Sequence, residues 1–365
     1  MDPNEALRIA ERRRRTQRLT GPPFDRPEDV VGWLGGVQAQ EYDYAKWSLG
    51  QRSRDTDDAL VEKAIADGTI LRTHVLRPTW HFVLPEDIRW MLELTGSRVM
   101  TSTRSYYSRL GLDEAVRKKA NTKIEKALRG GNQLMRKDLK AVLEKAGIEV
   151  DNMRLGFIMG QAELTGLICS GARQGKQHTY ALLSERAPDA AVLDPDDALR
   201  ELTLRYFTSH GPATIKDFNW WSSLRMGDIR KGIEMAGTRL RSREVDGTTF
   251  WFGDTPRARK TRSSKVDLLQ PYDEYFVAYT ESRGVIDASG VAGTHRGRPP
   301  AFFGAVMIDG QIAGHWKRKT ASAAVLVEVE LYAPLDESQT AALHDEADRL
   351  GTFFDRPVSV EMSRL

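Results

Sequence analysis

Residues 35 to 42 read "GGVQAQEY", and they place two side-chain amides, Gln38 and Gln40, on either side of one alanine. Amides can hold a water molecule or present a dipole to a developing charge, provided that both meet the same point. On a helix, two residues apart means divergence of roughly 200°, whereas on extended backbone the two share a face. The preceding Gly35-Gly36 pair weakens any helix running through and allows another backbone to come close. Two outcomes stay open: a pair of amides aimed at something, or a helix ending on the surface. A second set lies in "RTHVLRPTWHF" (72–82), where Arg77, Thr79 and His81 would alternate on one side of an expected strand, opposite Trp80. The same pattern also fits a sheet with a polar outer face. A third lies in "PYDEYFVAY" (271–279), where Asp273 and Glu274 sit among aromatics, either to cap a helix or to orient a site.

Other chemistry is not spelled out. The chain has no glycine-rich dinucleotide or Walker phosphate loop, no Cys-x-x-Cys, no His-Glu-x-x-His and no Gly-x-Ser-x-Gly elbow. His74 and His81 bracket a hairpin rather than one helix face, so neither a metal nor a cofactor is expected. Net charge is only +3, but the charge is segregated. Basic residues bunch as "RRRR" (12–15), "RKKANTKIEKALR" (117–129), "RARKTRSSK" (257–265), "HRGR" (295–298) and "HWKRK" (315–319), an arrangement suited to a polyanion.

The elements that must position these residues follow one design three times. Stretches 58–84, 153–183 and 228–252 each open with apolar residues at helical spacing and close with two short β-prone runs around a polar tip. Further helical sequence precedes each. Helix, turn, helix and hairpin is the order of a helix-turn-helix with a wing, and its threefold recurrence implies a tandem array. After residue 262 the pattern turns to strands, with a hairpin signal at Asp309-Gly310, a helical stretch and a final strand, which together suggest a small sheet or barrel closing the molecule. The expected fold is therefore α+β: three tandem winged-helix units (1–92, 93–190, 191–261) and a C-terminal small sheet or β-barrel (262–365). With 40% hydrophobic residues, one cysteine, no apolar leader and no long apolar run, a cytoplasmic monomer is expected, nucleoid-associated when bound to DNA and away from membranes.

"GGVQAQEYDYAKWSLGQR", "LRPTWHFVLPEDIRWML" and "LLQPYDEYFVAYTESR" resemble the motifs of the AlkZ/YcaQ-type DNA glycosylases in order, spacing and length over nearly the whole chain. The Gln-aliphatic-Gln element is the most specific part, and Gln40 puts the sequence on the branch whose motif ends in glutamine. The resemblance implies a C-shaped arrangement around duplex DNA and excision of cationic N-alkylated purines, especially bulky N7-alkylguanine adducts or interstrand crosslinks made by bacterial antibiotics. Such activity would serve base excision repair or self-resistance. It further implies that Gln38 and Gln40 position water and stabilise an oxocarbenium-like sugar, with Arg77, Thr79, His81, Asp273 and Glu274 in support. Arg12, Arg13, Arg14 and Arg15 would touch phosphates, together with Arg296 and Arg298, while His315, Trp316, Lys317 and Arg318 would probe a groove. A non-catalytic winged-helix regulator or damage-binding factor would share the basic patches and the repeats. Only the glutamines and the acidic-aromatic segment separate the two readings.

Overall fold

In the computed structural model, the structure describes residues 1–254, 265–294, 303–320 and 324–364. The chain forms two compact units: Met1–Val61 with Thr203–Trp221 and Arg225–Leu365, and Glu62–Leu202 with Ser222–Leu224. The stretch expected as the first winged unit is divided between them, with its glutamines in the first unit and its hairpin in the second. No helix among the described residues is long and apolar enough to cross a membrane.

The second unit is built on helices Glu114–Leu128, Arg136–Lys145 and Asn152–Leu164, followed by the antiparallel strands Ile168–Ser170 and Thr179–Leu182. A two-residue strand, Leu134–Met135, pairs with Thr179–Leu182 on its other side, giving a three-stranded sheet. Helix starts are written locally. Asp113 accepts the Val116 N–H at 2.8 Å, and Asp151 accepts that of Arg154 at 2.7 Å, each satisfying an otherwise orphaned donor. Ala120, Ile124 and Leu128 recur at intervals of four and face Leu139, Leu143, Leu155, Ile158 and Tyr180 in one core.

That unit also holds the hairpin Leu71–His74 and Trp80–Val83, in register Leu71↔Val83 to His74↔Trp80. Here the expected strand is corrected. Arg77 and Thr79 lie in the connection between the strands, and only His81 is on a strand. The cause is local: Leu76 takes φ 64°, and Pro78 cannot extend a ladder.

The first unit repeats the helix-and-hairpin order with helices Ile215–Ser222 and Met226–Ala236 and strands Leu240–Val245 and Thr248–Gly253. Its C-terminal part is a five-stranded sheet, ordered Val358–Arg364, Val325–Leu331, Gln311–Thr320, Gly304–Ile308, Val266–Leu269. All pairings are antiparallel except the last strand, which returns parallel to Val325–Leu331 after the crossover helix Glu337–Phe353. The expected barrel is not closed among the described residues. The crossover helix packs against both edge strands, so the sheet's apolar side is covered by a helix instead of by closure.

The Asp309-Gly310 hairpin forms as its sequence dictates, with φ 49° and 81° at the two turn residues. Its tip is packed, however. Asp309 lies 3.5 Å from Arg14, and the Gly310 carbonyl accepts the Tyr275 hydroxyl at 3.1 Å. A Cβ on Gly310 would stand 2.7 Å from both Arg14 and Tyr275.

Candidate active site

Helix Pro27–Leu34 opens on proline with Glu28 and Asp29 in its first turn and stops on Gly35, which adopts the left-handed conformation at φ 73°. Gly36 follows at φ 151°, and the chain then runs as the short strand Val37–Gln38 through Ala39 and a bend at Gln40. The next helix, Tyr42–Gly50, begins only afterwards. The two glutamines thus avoid the continuous helix that would have split them. Val37, Gln38 and Ala39 are buried and Gln40 is half-buried.

The acidic-aromatic segment holds this stretch from below. Glu274, 1% exposed, accepts the backbone N–H of Gln38 at 2.8 Å through Oε1 and the Trp221 indole N–H at 2.8 Å through Oε2. The His210 Nε2 lies 3.4 Å from the same Oε2. Gln270 donates from Nε2 to the Gln38 carbonyl at 3.3 Å, so both sides of this residue's main chain are gripped. His210 is itself fixed, stacked on Tyr206 with ring centres 4.9 Å apart.

Asp273 does a different job. It caps the short helix Glu274–Val277 by accepting the Tyr275 N–H at 2.9 Å, and it takes a bidentate grip from Arg52 at 2.7 and 2.9 Å. Ser48 donates to it as well, at 2.6 Å. Ser48 and Arg52 belong to the end of helix Tyr42–Gly50 and the turn after it, so the element that follows Gln40 is bolted to the segment that grips Gln38. Of the two alternatives for these acids, Asp273 takes the cap and Glu274 the orienting contact. Gln270, Trp221 and His210 were not singled out from sequence. Gln270 stands directly before the Pro-Tyr-Asp-Glu run, whereas Trp221 and His210 carry no local signal.

Arg77, Thr79 and His81 belong to the other unit. Arg77 and His81 are both buried, with Nη2 and Nε2 3.3 Å apart, and His81 Nδ1 meets the Thr79 carbonyl at 2.9 Å. The set is internally bonded and not a polar outer face.

Several residues expected on DNA are instead internal. Arg13 is fully buried, donating to the Pro212 carbonyl at 2.9 Å and to Ser282 Oγ at 2.6 Å, with its guanidinium 3.6 Å over the Tyr279 ring. Arg14 is buried against Asp267 at 3.2 Å. Arg12 lies over Phe252 at 3.7 Å and donates to the Gly253 carbonyl, and Arg15 pairs with Glu11 at 3.3 Å. Planar guanidinium groups tolerate such burial because they stack and fork simultaneously. His315 and Trp316 are corrected in the same way. His315 meets the Tyr332 hydroxyl at 2.7 Å, and Trp316 donates to the Leu269 carbonyl at 2.7 Å, so neither can enter a groove. Arg318 packs on Phe354 at 4.0 Å, and burial pushes its guanidinium below the usual range. Lys317 is exposed beside Glu328. Arg296 and Arg298 lie outside the described residues.

A family model described as DNA glycosylase AlkZ-like matches residues 31–353. The chain belongs to that family. It is accordingly a DNA glycosylase, as the motifs led us to expect. A curated relative, the interstrand DNA cross-link repair glycosylase of Streptomyces sahachiroi, is 27% identical over 328 residues, covering 83% of this chain and 85% of its own. The solved structure of Streptomyces sahachiroi DNA glycosylase AlkZ superposes with a TM-score of 0.77 at 22% identity, covering 97% of this chain and 99% of that one. The α+β fold is therefore shared with that family member.

Proposed function

We propose that the chain hydrolyses the N-glycosidic bond of cationic N-alkylated purines in duplex DNA, N7-alkylguanine adducts and interstrand crosslinks above all. Gln38 and Gln40 act on the sugar. The observation that carries this reading is the grip of Glu274 and Gln270 on the main chain of Gln38, at 2.8 and 3.3 Å, within an extended segment. A catalytic side chain must be held to within about half an ångström, and backbone clamps of this kind supply that. Alkylation at N7 leaves the purine positively charged, so the base departs without being protonated. What remains is to position water and favour an oxocarbenium-like sugar, which amide oxygens can do by hydrogen bonding and dipole. The buried Glu274 carboxylate behind Gln38 adds a favourable field for a cation. A neutral amide is a poor general base, so uncharged lesions such as uracil are outside its range. The repair glycosylase named among the relatives supports crosslinks as substrates. The helix-and-hairpin units are read as winged helices that carry the duplex.

The test is strand cleavage after alkali on DNA holding an N7-alkylguanine. Wild type cuts at the adduct. Gln38→Ala and Gln40→Ala each slow excision by roughly 10²-fold, and Glu274→Gln, which keeps shape but removes the charge, slows it less. Normal cutting by the double glutamine variant would remove the catalytic assignment even if the enzyme were active.

A further inference from the structure

Helix Glu114–Leu128 of the second unit has two sharply different sides. At 100° per residue, Ala120, Ile124 and Leu128 make its buried stripe. Lys118, Lys119, Lys123 and Lys126 are all exposed and fall with Arg129 on the opposite face, within about 140° of arc. Glu125, just beyond the edge of that face, pairs with Arg129 at 2.7 Å. None of the four lysines enters an ion pair among the described residues. From Lys118 to Arg129 the run extends about 16 Å along the helix axis.

The third helix of the same unit cannot serve in its place. In Asn152–Leu164 only Asn152 and Met153 are exposed, and Leu155, Ile158, Met159, Ala162 and Leu164 are buried. The neighbouring Arg154 is spent on carbonyls, donating to Glu149 at 2.7 Å and to Leu110. Base reading from a third helix needs several exposed side chains near its start, and this one offers only Asn152 and the apolar Met153 there.

We infer that this lysine face of the second unit is a duplex-DNA backbone clamp that reads no sequence. The reading rests on the DNA-directed activity proposed above. Four exposed point charges with no ion pair among the described residues match a phosphate ladder carrying one charge per about 1.7 Å of duplex axis, and sequence blindness suits an enzyme whose target is a lesion.

The experiment measures binding of the full chain to an undamaged duplex by fluorescence anisotropy between 50 and 200 mM salt. The Lys118→Gln/Lys119→Gln/Lys123→Gln/Lys126→Gln variant is compared with its four-fold Lys→Arg counterpart. The slope of log affinity against log salt should become shallower by about 0.9 for each lysine that meets a phosphate, hence by about 2–4 for the glutamine variant. The arginine variant should keep the wild-type slope on several unrelated sequences. An unchanged slope for the glutamine variant makes the face plain solvated surface and overturns the proposal, as does a change confined to one sequence. Excision is scored separately: a wild type that binds undamaged DNA through these lysines but releases no alkylated base sinks the glycosidic chemistry, not the clamp.

Discussion

Two basic runs, "RRRR" at 12–15 and "RKKANTKIEK" at 117–126, look interchangeable as charge, yet the fold uses them in opposite ways. In the first, Arg13 and Arg14 are buried struts that tie the N-terminal helix Pro3–Thr16 to residues more than 190 positions away. In the second, the lysines stand outward with no partner among the described residues. Residue type explains the division. A guanidinium satisfies several acceptors in one plane while stacking on a ring, so it can be buried with its bonds made. An ammonium on a flexible stem is strongly hydrated and costs more to bury. Within these two runs, arginine builds the interior and lysine presents charge.

The largest test of that difference is Arg13→Ala. It leaves the Pro212 and Ser282 groups without their donor and opens a gap over Tyr279, and it should cost roughly 3–5 kcal/mol in urea unfolding. Arg13→Lys keeps the charge but loses the fork and should recover less than half of that. If Arg13→Ala instead folded normally and flattened the salt dependence of DNA binding, the contrast between the two runs would be gone.

This contrast marks where the sequence stops being informative. Elements were legible where one residue type forces a backbone choice. Gly35-Gly36 ends a helix, Asp309-Gly310 turns a hairpin, and the three helix-to-hairpin stretches each yield a paired hairpin. The Gln38 segment was legible as a choice between two conformations, and its glycines decided it. Burial of charge was not legible. Nothing within residues 12–15 says that Tyr279 and Ser282 will lie beneath Arg13, because those partners are over 260 positions away. Likewise, alternation along Gln311–Thr320 spelled a strand, but not that His315 and Trp316 would both be buried, one on each face. Pro78 was a visible warning against a strand through Arg77 and Thr79.

A second test asks whether the lysine-bearing unit simply lacks a dry interior. Cys169 argues otherwise. It is fully buried, and burial pushes its thiol up to about 12 against the opposing charge of Arg186. The neutral thiol is the form that folds, and the unfolded chain ionises near the ordinary value of 9.0. Stability from this group is thus complete below pH 9 and is lost as pH rises toward 12, amounting to about 1.4 kcal/mol by pH 10. Comparing the fall in urea midpoint from pH 8 to pH 10 for wild type and Cys169→Ala isolates the effect. An equal fall in both proteins would mean that water reaches this core, and the contrast would then reflect packing quality and not residue type.

The smallest expected effect sharpens the comparison most. Lys119 and Lys123 are four apart and Lys123 and Lys126 three apart, so each pair repels across neighbouring turns by a few tenths of a kcal/mol. Replacing the four lysines by glutamine should therefore leave the unfolding midpoint unchanged or slightly raised, with the difference fading as salt screens the repulsion. Arg13→Ala should show no such relief at any salt concentration. A quadruple glutamine variant destabilised by more than about 1 kcal/mol would show that the lysine stems pack as structure. A variant that gains stability while losing DNA affinity would show the reverse: the helix carries a strain in free solution that a polyanion relieves.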